Sequence, residues 1–163
     1  MKKIISICLM ISLLACVFAG CEKKKEKSEQ NAGAYIFRAG EVSIAIDAQA
    51  APILEALGAW KDYAESPSCA FEGMDKVYTY AGFEIETYCL DGVDYIASVR
   101  LLDDTFKTQK GITIGSTKEA VIEAYGEPVE SGELSLIYQD AGMKLQFLLR
   151  DGVVCDIQYL KVT

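Results

Sequence analysis

Histidine is missing from all 163 residues. With it go Ser-His-Asp and Cys-His catalysis, histidine general bases and every His-containing metal site. No glycine-rich phosphate loop, nucleophile elbow or cofactor motif occurs. The acids never form the Asp-x-Asp-x-Asp-Gly pattern of a calcium loop. The sequence therefore reads as a non-enzyme, with no catalytic residue, no metal site and no cofactor expected. Low-complexity composition is absent too. At 51% hydrophobic and 25% charged residues, the chain is neither disordered nor collagen-like.

Positive charge is in short supply, and it is unevenly spread. The net charge is −8. Lys2 and Lys3 begin the chain, and residues 21–33 carry four lysines against three glutamates. Residues 34–163 hold ten Lys and Arg against 21 Asp and Glu, a net −11. A domain that acidic repels phosphate backbones, so nucleic acid is not an expected partner. Solubility is the plain consequence of such charge, and a cationic partner or loose cation binding is the functional one.

One long apolar run is present. Met1-Lys2-Lys3 precede Ile4 to Gly20, which holds no charged residue. This is the layout of a secretory signal peptide, residues 1–20, and it is set aside from the fold. It ends in Phe18-Ala19-Gly20-Cys21 and gives way at once to Glu22-Lys23-Lys24-Lys25-Glu26-Lys27. These residues resemble the lipobox of bacterial lipoproteins, with its small residues before a cysteine. The resemblance implies cleavage before Cys21, a diacylglycerol on its thiol and acylation (palmitate) of the new N-terminus. It also implies a lipid-anchored place on the extracytoplasmic face of the cell membrane. Leu13-Leu14-Ala15-Cys16 is a competing lipobox-like run. Cys21 is preferred, because processing at Cys16 would leave apolar Val17 to Gly20 on the mature end. An uncleaved signal anchor is the other reading, although seventeen apolar residues are at the short limit for a span. Each buried methylene contributes about 0.8 kcal/mol, so two acyl chains hold a protein on a membrane stably. Residues 21–33 then form a charged tether that reaches at most about 40 Å.

Residues 34–163 are the size of one ordinary domain and read as α+β. A weak internal repeat organises them, repeat one over about 41–102 and repeat two over about 110–163. Val42 to Asp47 and Ile53 to Gly58 align without a gap, sixty-eight residues on, with the stretches ending at Gly115 and Gly126. Each copy reads as one helix followed by a three-stranded meander. Ser116 or Thr117 caps the second helix, and Gly126 with Pro128 stops it. Asp47 is the expected cap of the first, and Gly58 its stop. Phe83-Glu84-Ile85-Glu86-Thr87 and Met143-Lys144-Leu145-Gln146-Phe147 alternate as half-buried strands. Asp91-Gly92 and Asp151-Gly152 supply hairpin turns. Strict alternation assigns Val93, Tyr95, Ala97, Val99 and Leu101 to one inward row, and Val153, Cys155, Ile157 and Tyr159 to the other. One short helix cannot cover a meander alone, so the two copies are expected to share one antiparallel sheet, with the helices on one face.

Gly115, Thr117, Val121, Tyr125, Gly126 and Pro128, followed by Asp151, Gly152 and Val154, resemble the beta-lactamase-inhibitor-protein-like fold. That group includes small envelope-assembly lipoproteins. The first copy departs from the pattern, with Asp47 where glycine would stand. Ser68-Cys69-Ala70-Phe71-Glu72-Gly73-Met74-Asp75 resembles lipoproteins of anaerobic Gram-positive bacteria. In the inhibitor-like fold a partner protein docks on the open sheet face, so the resemblance implies a non-catalytic binding or assembly module.

Three cysteines fall in the domain, which allows at most one disulfide. Either all three are structural thiols or Cys69 and Cys89 form the one disulfide, and Cys155 reads as a small core residue. Tyr78 and Tyr80 share a strand face, and Trp60 follows the first helix stop beside Tyr63. Rings on an open sheet face anchor interfaces, so Trp60, Tyr78 and Tyr80 are the candidate partner-binding residues. An inhibitor of an extracellular hydrolase is the second reading, and needs a protruding loop at 59–75 or 103–110. A carboxylate-based hydrolase is the third, and needs two converging acids. Cys21→Ser is expected to move the protein from the membrane fraction to the soluble fraction, whereas Cys16→Ser leaves it membrane-bound. Mass spectrometry of the mature N-terminal peptide checks which cysteine carries the lipid.

Overall fold

The computed structural model describes residues 35–70 and 72–162. The leader, Cys16, Cys21 and the tether lie outside the described residues. The molecule is α+β and mostly antiparallel sheet. A hairpin of β1 (Phe37–Ala39) and β2 (Val42–Ile44) comes first, then helix α1 (Ala50–Leu57). Strands β3 (Asp62–Pro67), β4 (Met74–Thr79), β5 (Phe83–Leu90) and β6 (Val93–Leu101) follow. After helix α2 (Lys118–Tyr125) come β7 (Glu130–Ser131), β8 (Ser135–Asp140), β9 (Met143–Arg150) and β10 (Val153–Lys161). The eight strands β3 to β10 form one sheet in the order β3-β4-β5-β6-β10-β9-β8-β7. Four strands follow each helix, one more than alternation revealed. The additional ones, β3 and β7, are exposed along their whole length and carry no apolar rhythm.

Local chemistry explains both helices. Thr117 Oγ1 accepts the Ala120 N–H at 3.2 Å, and Glu119 stands in the first turn of α2 near the positive end of the dipole. Gly126 ends α2 at φ +82°, a conformation that costs glycine nothing. The first helix differs from expectation. Its cap is Gln49, which makes no side-chain cap bond. Asp47 lies two residues too early. Its amide donates to the Ile96 carbonyl at 2.9 Å and its φ is +63°. It supplies the left-handed residue that Gly115 supplies before α2, at φ +92°.

The core lies on the helix side of the sheet. Ala50 and Ile53 of α1 and Val121 of α2 join one cluster with alternate strand residues. Tyr78, Ile85, Val99, Tyr159, Leu145 and Tyr138 succeed one another across the sheet in register. Leu101, Ile157, Phe147 and Leu136 make the next row. Phe37 of β1 plugs one end, with its ring 5.1 Å from Phe83 and 5.4 Å from Phe106.

Strict alternation fails at two places for one reason. The pairing of β6 with β5 steps from Ser98–Glu86 to Ile96–Thr87, leaving Ala97 as an extra residue. That of β10 with β9 steps from Val154–Leu149 to Asp156–Leu148, leaving Cys155 extra. A bulge reverses every later side chain on its strand. Ile96 and Val154 therefore point inward, while Val93, Val153 and Cys155 are exposed. Cys155 is thus not a core residue. Val154→Ala is expected to destabilise the fold by about 2 kcal/mol, while Val153→Ala stays within about 0.5 kcal/mol. Urea unfolding of the two variants reads the bulge directly; equal losses would contradict it.

Candidate functional site

Gly58 ends α1 at φ +75°, and the chain leaves the helix through Trp60 and Lys61. It then runs along the outer flank of β4 as β3. Tyr63 lies opposite Tyr78, with ring centroids 5.1 Å apart. Trp60 meets the same Tyr78 ring edge-on at 5.2 Å and Tyr63 at 6.2 Å. Tyr78, only 7% exposed, is a floor, and Trp60 at 46% and Tyr63 at 40% stand on it in solvent. Large rings this open are the kind of surface that a partner buries. The Tyr63 hydroxyl donates to Glu65 Oε2. That bond, with a smaller contribution from desolvation, pushes the Tyr63 phenol up to about 12.

The structure divides the three expected partner-binding residues. Trp60 is at the surface. Tyr78 follows the parity of Ile85, its cross-strand neighbour, and Tyr80 stacks on Phe83 at 4.9 Å. Both tyrosines are buried at 7% exposure, so they belong to the helix-side core and not to an open aromatic face. The opposite face is polar. Thr79, Glu84, Arg100, Gln158, Gln146 and Ile137 cross it in register. The acids that converge there, Glu84 and Asp156, both clasp Arg100, at 3.5 and 2.5 Å. Tyr63 and Glu65 were invisible as site residues in the sequence. Asp62-Tyr63-Ala64-Glu65-Ser66-Pro67 has no apolar alternation, and only the nearness of Tyr63 to Trp60 pointed at it.

A second cluster joins the segment before α1 to β5 and β10. Asp47 accepts a hydrogen bond from the Tyr88 hydroxyl at 2.9 Å and pairs with Lys161 at 3.0 Å. Lys161 also stands over the Tyr88 ring, which stacks on Tyr95 at 5.7 Å. A cavity of about 650 Å³ opens beside it, lined by Asp47, Gln49, Tyr95, Gly142 and Lys161. Every charged group of this cluster already has its partner, so the contact ties β10 to the segment before α1.

Cys69 and Cys89 are free thiols in this structure. The turn between β3 and β4 is closed by Ser68 N–H donating to Gly73 O at 3.0 Å, and it packs against Cys89. A Cβ at Gly73 would come within 2.8 Å of the Cys89 Cβ. The 103–110 segment is pinned at Phe106, whose ring packs against Phe37 and Phe83. No group of three metal-ligating side chains occurs among the described residues. No helix among them is long and apolar enough to cross a membrane. No protein family, no curated protein and no solved structure matches the chain.

Glu65→Ala is expected to bring the Tyr63 pKa down from about 12 toward the ordinary 10. The hydrogen bond needs the neutral phenol. The contact is therefore present below pH 10 and is lost as pH rises through about 12. An NMR titration of the Tyr63 ring in both proteins measures it.

Proposed function

We propose that this protein is a membrane-anchored extracytoplasmic lipoprotein whose domain is a non-catalytic binding module at the cell envelope. Its binding surface is the β3 flank that carries Trp60 and Tyr63. The observation that carries the reading is the pair of exposed rings on a sheet edge, seated on a buried tyrosine. Anchoring rests on the lipobox-like run ending in Cys21. The partner is an envelope protein or peptide, and the membrane is reached through the lipid.

The domain itself is, in this proposal, two copies of one helix-plus-meander unit whose sheets join at β6 and β10. Several equivalences support it. Asp47 and Gly115, sixty-eight residues apart, both have positive φ, and both donate to the last strand of their half, to Ile96 and Val154. Gly58 and Gly126 end the helices alike, each donating back to the residue four before it. Ala97 and Cys155 are the bulged residues, fifty-eight apart. Arg100 faces Gln158 at that same separation, so the pair is its own image under exchange of the halves. The likeness to the beta-lactamase-inhibitor-protein-like fold is part of the proposal and draws on the same features.

Inhibition of an extracellular hydrolase is the second reading. It is favoured by the position of Trp60 and β3 within the 59–75 segment, at the outer edge of the sheet. A photoreactive residue in place of Tyr63 is expected to give one discrete crosslinked adduct in native cells. Trp60→Ala reduces the yield at least roughly tenfold. The same probe at Glu123, on the exposed side of α2, gives no adduct. Absence of an adduct at position 63 overturns the placement.

A further inference from the structure

We propose that β3 takes up an extended basic segment of another protein as a ninth strand, with Lys or Arg at every second residue of the guest. This rests on the binding-module reading above and names the class of its partner. The backbone of β3 is the first argument. Ser68 N–H bonds to Gly73 O across the hairpin at 3.0 Å. Alternation from that bond, in the register of β3 with β4, turns the amides of Ser66, Ala64 and Asp62 inward. It turns the amides and carbonyls of Tyr63, Glu65 and Pro67 outward, where β3 has no second neighbour among the described residues. Pro67 has no N–H, and this is the one side of the strand where that is harmless. The outward Tyr63 N–H is taken by Asp62 Oδ1 at 2.9 Å. The edge that remains offers three carbonyls and a single free donor, Glu65 N–H. It is an acceptor-rich edge, matched to a guest that brings amide donors.

Side chains supply the second argument. An added strand places alternate residues on one face. On the face shared by Tyr63 and Glu65 it would meet two ring faces and a carboxylate. Trp60 and Tyr63 suit cations by the ring quadrupole, and Glu65 suits them by charge. The net −11 of residues 34–163 draws a basic chain to the domain and repels a second copy of the domain. Edge charges and an edge proline are also how proteins discourage casual strand pairing. Here they discourage acidic or neutral guests and leave basic ones.

Reach decides between this chain's own lysines and a partner. Lys23, Lys25 and Lys27 alternate as the guest should. The described chain, however, starts at Tyr35, whose ring lies 6.3 Å from Tyr125, which in turn packs 5.3 Å from Tyr138 of β8. From β8 to β3 is six strand spacings, about 29 Å. Lys27 is eight residues before Tyr35, about 27 Å at full extension. Lys25 and Lys23 reach farther, about 34 and 41 Å. A guest strand that seats all three alternating lysines needs Lys27 at the edge, however, and Lys27 gets there only fully stretched, with no slack to pair. The guest therefore comes from another molecule.

The test titrates the full-length chain in detergent with a labelled hexapeptide alternating Lys and Thr. Binding is expected, and N-methylation of alternate peptide amides is expected to weaken it at least roughly tenfold. Glu65→Lys is expected to weaken it similarly, and Glu123→Lys, the same charge change on α2, by less than about twofold. Circular dichroism confirms that each variant is folded. Equal binding of the N-methylated peptide, or equal loss with Glu123→Lys, overturns strand addition. So does self-association of the chain that the peptide cannot displace, which would make a second copy the guest. An adduct at position 63 in cells without peptide binding would sink the basic class alone, leaving the binding module intact.

Discussion

Four residue pairs between β6 and β10, from Leu101–Ile157 to Ser98–Leu160, hold the eight-stranded sheet in one piece. Without them each half would be a four-stranded meander with one short helix, and neither helix could cover its sheet. Val99 and Leu101 meet Tyr159 and Ile157 across this seam, and all four are essentially inaccessible. The seam therefore buries apolar rows from both sides at once, the condition for a single cooperative core. Its other face carries Arg100, whose guanidinium is neutralised by Asp156 and Glu84. Asp156 is nearly buried while Arg100 is about half exposed, so their ion pair links β10 to β6 at a partly solvated site, where water screens it.

What the sequence disclosed was whatever repeats at short range. The turns at Asp91-Gly92 and Asp151-Gly152, the Thr117 cap, the Gly58 and Gly126 stops and the rows of β5 and β9 are all local patterns. The bulges are not local. Ala97 and Cys155 are set by what the neighbouring strand does, and no feature of their own segments marks them. That is why alternation sent Cys155 to the wrong side. Asp47 shows the same limit. It looks like a helix cap, yet its left-handed backbone is dictated by pairing with Ile96, and its carboxylate by Tyr88 and Lys161 from distant strands.

The candidate site was half legible. Trp60 could be picked out because it is the one tryptophan, beyond a helix stop. Tyr78 and Tyr80 misled for a physical reason. Aromatic residues in strands either fill a core or decorate a surface, and parity alone does not say which face the helices take. The helices took the face of Tyr78, and among the described residues the aromatic surface is at the two outermost strands, β3 and β4. Exposure there follows from architecture and not from any surplus of rings.

The two ends of the sheet are unequal. At one end β3 presents six residues, and at the other β7 has two. A head-to-tail polymer needs both ends to accept a neighbour, with each molecule docking one edge against the opposite edge of the next. A two-residue edge gives too little ladder to hold such a neighbour. The molecule is thus chain-terminating by construction: a strand added at β3 completes a finite complex, and many copies can stand close together without seeding fibres.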